Sequence, residues 1–138
     1  MSFHYPRRVQ FAETDLAGIV HFSWIFRYME EAEHALWRAA GLSIAERGSE
    51  IGWPRVAASF EFRSPLHFED EFEVIVRLQE VGSRTLRYEH TLKRQTTVIG
   101  TGTMTAACVR KVDGEPMRAT EVPAEVVQKL RAALSHAP

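Results

Sequence analysis

The chain has 138 residues, of which 45% are hydrophobic and 25% charged, and its formal net charge at pH 7 is -1. This composition fits one globular domain, residues 1–138, long enough to bury a core without disulfides or metals. The near-neutral charge argues against a protein that binds nucleic acid through bulk positive charge. No apolar run approaches membrane-spanning length, and residues 1–8 lack the apolar segment of a secretory signal. We therefore expect a cytoplasmic location, no membrane partner and no nucleic-acid partner.

Alternating residues over positions 3–11 predict a first strand, which the turn residues from Glu13 to Gly18 end. A long helix is predicted next, with Ser23 as its N-cap and Gly41 as its stop. Its apolar positions recur with the i, i+3, i+4 spacing of a helix: Ile25, Tyr28, Met29, Ala32, Ala35, Leu36, Ala39 and Ala40. The many alanines would let a sheet approach this helix closely.

Four further strands are predicted after a connection over residues 42–54. Three runs alternate between apolar and polar residues, at 56–63, 71–78 and 86–93, and a longer, threonine-rich run covers 97–111. A period of two with one polar face is typical of antiparallel strands. Gly100 and Gly102 in the last run favour a bend or bulge. Pro123 then opens a short C-terminal helix.

This order of elements predicts an α+β domain, in which five strands accompany one long helix. One helix cannot cover both faces of such a sheet. We therefore expect the sheet to curve around the helix and to offer its remaining apolar surface, or an edge strand, to a second subunit. The single cysteine, Cys108, lies in an apolar run, so we expect it to be a buried core residue and not a nucleophile.

The stretch from Phe11 to Trp24 carries the most chemistry. It places the Asp15 carboxylate and the His21 imidazole next to a new helix N-terminus, whose free N–H groups and positive dipole end stabilise negative charge. A carboxylate there suits attack on a carbonyl whose oxygen becomes negative. On the residues alone, however, Asp15 is somewhat better explained as an Asx-turn residue. Gly18 is explained by a turn that needs a positive φ.

The segment from Thr14 to Phe22, followed by an aromatic-rich helix, resembles the hotdog-fold acyl-CoA thioesterases, above all their 4-hydroxybenzoyl-CoA thioesterase branch. The similarity continues through residues 62–71 and resumes at 118–124, so it covers nearly the whole chain. The resemblance implies a curved five-stranded antiparallel sheet wrapped around one long helix. It also implies a homodimer or homotetramer with active sites at the subunit interface.

The same resemblance implies catalytic roles. It makes Asp15 the nucleophile or general base, and with the motif around it catalysis becomes the better explanation of this residue. A backbone N–H near Phe22 is expected to polarise the thioester carbonyl. His21 is expected either to orient the nucleophile or to line the pocket.

Substrate-binding roles are implied as well. Gly18 would leave room for the thioester, Trp24 could line the acyl pocket, and Ser59 falls where relatives place a small polar residue facing that pocket. The strand turn that holds the CoA phosphates in the resembled branch corresponds here to Ser83, Arg84 and Thr85. Only Arg84 and the nearby Arg87 supply positive charge at this turn.

We therefore expect an acyl-CoA thioesterase that yields free acid and CoA. Two alternatives stay open: a hotdog dehydratase of 3-hydroxyacyl thioesters, which would use a histidine such as His21, and a non-catalytic acyl-CoA-binding subunit. No metal or other cofactor is expected, because the sequence has no metal-spaced Cys/His cluster, no phosphate-binding glycine loop and no Gly-x-Ser-x-Gly elbow. The acyl group, and the choice between CoA and an acyl-carrier protein, stay open.

Overall fold

The computed structural model describes residues 1–136. Along the chain the elements are β1 (Phe3–Arg8), α1 (Ser23–Ala39), β2 (Ile51–Gly52), β3 (Arg55–Phe62), β4 (Glu71–Val81), β5 (Thr85–Arg94), β6 (Thr97–Ala107), β7 (Val109–Arg110), β8 (Arg118–Ala119) and α2 (Ala124–His136). Five strands in the order β1-β4-β5-β6-β3 form one antiparallel sheet. The predicted α+β layout, with its long helix and short C-terminal helix, is confirmed. Within residues 1–136, no helix is both long and apolar enough to cross a bilayer.

A second, three-stranded sheet of order β2-β7-β8 was not predicted. Each of its strands has only two residues, which is too short for an alternating pattern to show. The first strand is also shorter than predicted, because the chain leaves the sheet after Arg8 and makes a 3-10 turn at Phe11–Glu13. Cys108 lies between β6 and β7 and is buried, as expected, and burial raises the pKa of its thiol.

The helix start differs from the prediction. Phe22 occupies the N-cap position and Ser23 is the first helical residue, so the prediction of Ser23 as the N-cap is wrong. Phe22 already has helical dihedral angles, with φ -54° and ψ -30°, and its side chain has no oxygen to accept a helix N–H. The Ser23 hydroxyl instead lies 2.8 Å from His21 Nδ1. At the other end, Gly41 has a φ of 75° and ends the helix as predicted.

The core lies between α1 and the main sheet. Most of the predicted apolar stripe is buried, whereas Ala35 and Ala40 are half-buried and Ala39 is exposed. Strands β4 and β5 contribute alternate residues to the same core, as their period of two predicted. One buried residue of α1 has a charged side chain, Glu33, which no apolar pattern could indicate.

The bend or bulge predicted at Gly100 and Gly102 is found beside the first of them. Leu92 of β5 pairs with Gly100 but Lys93 pairs with Val98, so the register shifts at Ile99, next to Gly100. At Gly102 the pairing with both neighbouring strands is regular, and β3 pairs regularly at both glycines. A Cβ on Gly100 would lie 2.4 Å from the Phe60 ring and 2.4 Å from the Glu61 carbonyl oxygen. The absence of side chains at Gly100 and Gly102 therefore lets the Phe60 ring lie against β6.

Strand β3 is an edge of the main sheet and is poorly covered. Only its first residue and Phe60 are partly buried, and the other residues are exposed on both faces. Two large apolar side chains are among them, Val56 at 59% and Phe62 at 56% exposed. An edge strand with exposed apolar side chains is a surface that another chain can pair with.

Candidate active site

Residues 13–21, which we call the hairpin, fold back on themselves just before α1. Three pairs of residues connect its two arms: Glu13 with His21, Thr14 with Val20, and Asp15 with Ile19. Gly18 closes the turn with a φ of 81°, which confirms the predicted positive φ. The hairpin is held to the rest of the chain where the Val20 N–H donates to the Leu66 carbonyl at 2.8 Å.

Asp15 lies near the tip of the hairpin and is exposed. Its Oδ1 accepts the Ala17 N–H at 2.8 Å, which is the Asx turn that its position in the sequence allows. No hydrogen bond reaches Oδ2 from any residue between 1 and 136. One carboxylate oxygen thus orients the group, and the other accepts no hydrogen bond from the described residues. Asp15 lines a cavity of about 480 Å³ together with exposed apolar side chains: Phe11, Leu16 and Phe68.

The N-terminus of α1 offers a free donor. The Trp24 N–H donates to the His21 carbonyl, and the Ser23 N–H approaches His21 Nδ1 at 3.3 Å. The Phe22 N–H, by contrast, has no acceptor in the part of the chain that the structure describes. It lies at the positive end of a helix of 17 residues, where a developing negative charge is stabilised.

His21 is bound to the helix start and not to Asp15. Its Nδ1 lies 2.8 Å from the Ser23 hydroxyl, and its ring packs against Phe22 with centroids 4.6 Å apart. Its backbone N–H donates to the Glu13 carbonyl at 2.9 Å. The imidazole therefore lies beside the free Phe22 N–H, where it can line a pocket at the helix start.

A second cavity, of about 430 Å³, borders the other side of the hairpin. Its lining is almost wholly apolar and includes Ile19, Val20, Ile25, Phe62, Leu66 and Ile99, with Arg63 as the charged member. Asp15 and Gly18 do not line this cavity. Trp24 lines neither cavity, because its ring packs toward Tyr28 and carries the Arg27 guanidinium 5.0 Å above it.

The remaining predicted substrate-binding residues lie away from Asp15. Ser59 alternates with the core residue Phe60 on β3, so it is on the opposite face of the sheet, 3.0 Å from the Thr103 hydroxyl. The turn that contains Ser83, Arg84 and Thr85 connects β4 to β5 at the far end of the sheet. The hairpin is anchored just before the start of β4, where its Val20 N–H donates to the Leu66 carbonyl at 2.8 Å.

The 11 residues of β4 separate the hairpin end of the sheet from the Arg84 turn by about 35 Å. Within one chain, Asp15 and Gly18 lie near the tip of the hairpin and His21 lies at its base next to Phe22, while Ser59 and the turn at 83–85 lie elsewhere. Among the described residues, no group of three or more His, Cys, Asp or Glu side chains is arranged to hold a metal ion.

Sequence reasoning missed the buried polar contacts beneath the hairpin. Glu13 is buried and binds Arg7 of β1 and Tyr28 of α1. A carboxylate two positions before Asp15 is the signal that could have indicated it. Its partners could not be found this way, because they lie on two other elements.

An antiparallel sheet packed around one long helix defines a hotdog-fold protein, and the hairpin that leads into this helix presents an exposed carboxylate. Residues 9–130 match the family model described as the thioesterase-like superfamily. A hypothetical protein from Aquifex aeolicus with a known crystal structure is 32% identical, with a TM-score of 0.85 over 93% of this chain and 98% of its own. The chain belongs to the thioesterase-like superfamily and is a thioester hydrolase, as the resemblance predicted.

Two further relatives bear the names of specific enzymes. The 4-hydroxybenzoyl-CoA thioesterase of Pseudomonas sp. (strain CBS-3) is 27% identical over 136 residues, which are 92% of this chain and 96% of its own. A gentisyl-coenzyme A thioesterase of known structure is 27% identical, with a TM-score of 0.81 and coverage of 92% of this chain and 98% of its own. Both names describe esters of an aromatic acid with CoA.

Proposed function

We propose that this chain is an acyl-CoA thioesterase in which Asp15 is the nucleophile or general base and the Phe22 N–H is the oxyanion donor. The observation that carries the proposal is the free Phe22 N–H at the start of α1, beside a hairpin that presents an exposed carboxylate with one unbonded oxygen. His21, fixed to the helix start, is proposed to line the site.

The reaction needs few groups, because a thioester is already activated. In the general-base route, Asp15 removes a proton from water, the hydroxide adds to the carbonyl carbon, and the resulting oxyanion accepts the Phe22 N–H. The C–S bond then breaks, and CoA leaves as the thiolate, which takes up a proton. In the nucleophile route, Asp15 itself adds, CoA leaves, and water hydrolyses the acyl-aspartyl anhydride. One oxyanion donor contributes roughly 10²–10³ in rate where this has been tested.

The CoA end of the substrate points to a second subunit. Arg84 lies about 35 Å from the hairpin end of its own chain, so it cannot hold the phosphates of a CoA bound at Asp15 of that chain. Strand β3 has Arg55 at the Arg84 end of the sheet and Phe62 at the hairpin end. Two copies of β3 paired about a two-fold axis run antiparallel, which brings the partner subunit's Arg84 toward the hairpin. We therefore propose a homodimer, or a homotetramer built from such dimers, with the sites at its interface.

The acyl group is proposed to enter the apolar cavity of about 430 Å³ beside the helix start. Its lining suits an apolar or aromatic acyl group. The names of the two relatives favour CoA esters of aromatic acids. Esters of short-chain and long-chain acyl groups are tested in the same panel.

The test is thiol release from a panel of acyl-CoAs, from benzoyl to palmitoyl, by the wild type and by Asp15→Asn. An asparagine keeps the oxygen that accepts the Ala17 N–H, so the variant should fold and lose most hydrolysis. Asp113→Asn is the matched control, since Asp113 is also an exposed turn aspartate and should retain full activity. Near-normal kcat in Asp15→Asn would refute the assignment. If thiol were released only from esters of an acyl-carrier protein, the proposed substrate would be an acyl-carrier-protein thioester instead of an acyl-CoA.

A further inference from the structure

Glu13 is only 3% exposed and lies two residues before Asp15, at the base of the hairpin. We propose that Glu13 is a positioning residue for the thioesterase reaction: its buried carboxylate fixes the hairpin relative to β1 and α1, and thereby fixes Asp15 against the Phe22 N–H. The inference rests on the proposed function and adds a residue that the chemistry itself does not require.

The Glu13 carboxylate is fully occupied by donors. Arg7 binds both oxygens, with Nη1 3.1 Å from Oε1 and Nη2 2.5 Å from Oε2. The Gln10 N–H donates to Oε1 at 2.8 Å, and the Tyr28 hydroxyl donates to the same oxygen at 2.7 Å. A two-point Arg–carboxylate contact is both strong and directional. Arg7 is held in turn by Glu31 of α1, at 2.8 Å from its Nε.

These contacts connect the hairpin to both neighbouring elements. Arg7 belongs to β1 and Tyr28 to α1, while the backbone carbonyl of Glu13 accepts the His21 N–H at 2.9 Å. One residue thus binds the sheet and the helix through its side chain and the second arm of the hairpin through its backbone. A displacement of Glu13 would move Asp15 on one arm and the helix start on the other.

The Glu13 carboxylate stays ionised, which suits a residue that holds the hairpin in place and not one that exchanges a proton in the reaction. Burial favours a higher pKa for its carboxyl group, but the hydrogen bonds from Arg7, Gln10 and Tyr28 outweigh burial and hold the pKa below its usual range. Burial and the contact with Glu13 raise the pKa of Tyr28, so its hydroxyl stays a donor. Removing Glu13 should therefore lower kcat without changing how kcat depends on pH near neutrality.

Glu33 of α1, the helix that contains Tyr28, offers a matched control. It is also a buried glutamate in contact with an arginine, Arg55, but none of its contacts reaches the hairpin. Glu33→Gln therefore replaces a buried carboxyl group beside an arginine without altering the anchor. Tyr28→Phe has a similar control in Tyr88→Phe, because Tyr88 is a buried tyrosine whose hydroxyl accepts the Trp37 Nε1–H.

The experiment measures amide hydrogen exchange and steady-state kinetics for Glu13→Gln and Tyr28→Phe and for their controls, Glu33→Gln and Tyr88→Phe. All four are measured at a temperature where circular dichroism shows each one folded. For Glu13→Gln we expect faster exchange of the Asp15 and His21 amides. We also expect kcat to fall about 10- to 100-fold with a smaller change in KM and an unchanged pH profile, because small misplacement of reacting groups costs about this much. Tyr28→Phe, which removes one hydroxyl only, should show the same pattern more weakly and serves if Glu13→Gln fails to fold.

Wild-type exchange at the hairpin in both Glu13→Gln and Tyr28→Phe would overturn the inference. An equal increase at the hairpin in Glu33→Gln would also overturn it, because replacing any buried carboxyl group beside an arginine would then suffice. Failure of the proposed function looks different: the wild type releases no thiol, or Asp15→Asn stays active, while hairpin exchange still depends on Glu13. That result removes the positioning role of Glu13 in the reaction together with the catalytic role of Asp15.

Discussion

At the scale of single residues, two buried glutamates next to arginines show how local donors decide the charge of a carboxylate. Glu13 receives four hydrogen bonds, and its pKa is held low. Glu33 contacts Arg55, but its Oε2 has no partner among residues 1–136. Burial raises the pKa of Glu33 to about 7 in spite of Arg55. The number and the placement of hydrogen-bond donors thus explain why Glu13 is ionised, whereas Glu33 titrates near neutrality.

Glu33→Gln should therefore change how stability depends on pH. The folded state holds the Glu33 proton up to about pH 7, whereas the unfolded chain releases it near its ordinary value of 4.5. Between these values the folded state binds more protons, so wild-type stability falls as pH rises. Relative to the wild type, Glu33→Gln should gain stability over this window. The gain is at most on the order of 3 kcal/mol, since one pKa unit corresponds to about 1.4 kcal/mol.

The measurement is urea unfolding of both proteins at about pH 5 and about pH 8, compared as the difference between them. The charged and polar groups that face Glu33 are Arg55 of β3, Tyr88 of β5 and Glu30 of its own helix, and they are present in both proteins. The two proteins must be compared because burial lowers the pKa of His90 to about 4, which makes the stability of both rise with pH in the same range. A difference that does not vary with pH would contradict a raised pKa for Glu33.

At the scale of elements, the spacing of apolar residues was sufficient for α1 and for the strands, because helix and sheet impose different periods on a buried face. The spacing did not predict the exposure of β3, because its sequence alternates between apolar and polar residues although both faces of the strand are exposed. It also misplaced the N-cap, since the dihedral angles of Phe22 are set by the turn before it. Of the site, the motif indicated Asp15 and the helix start. The anchor at Glu13 depends on contacts between residues 7, 13 and 28, which only the fold brings together.

The packing of β3 on β6 makes a prediction at this scale. Gly100→Ala would place a Cβ 2.4 Å from the Glu61 carbonyl oxygen on the paired strand, so the strands must separate or the Phe60 ring must move. Overpacking of this kind costs about 1–3 kcal/mol, although a Gly-to-Ala change at a compatible site would stabilise. Thermal unfolding should show the loss. Thr103→Ala on the same strand is the control and should lie near the wild type, and an equally stable Gly100→Ala would show that β3 does not pack as described.

At the scale of the whole molecule, two features of the chain support the proposed dimer. Its edge strand β3 exposes Val56 and Phe62, and its candidate site and its Arg84 turn lie at opposite ends of the sheet. A two-fold pairing of β3 edges removes both features at once, because it buries the apolar side chains and brings one chain's turn to the other chain's hairpin. A site formed in this way couples activity to assembly, so a monomer should lose hydrolysis even when it is folded.

Val56→Lys separates assembly from folding. The new charge lies on the β3 edge, where lysine opposes strand pairing, and Val56 lines neither of the cavities beside the hairpin. Sedimentation should show two or more chains for the wild type, and at least about 10-fold weaker association for the variant, which corresponds to about 1.4 kcal/mol. Thiol release should fall in parallel and recover at high protein concentration. Met117→Lys is the matched control, because Met117 and Val56 are both 59% exposed but Met117 lies outside β3. A monomeric wild type with full activity would contradict the shared site and leave Asp15 acting within one chain.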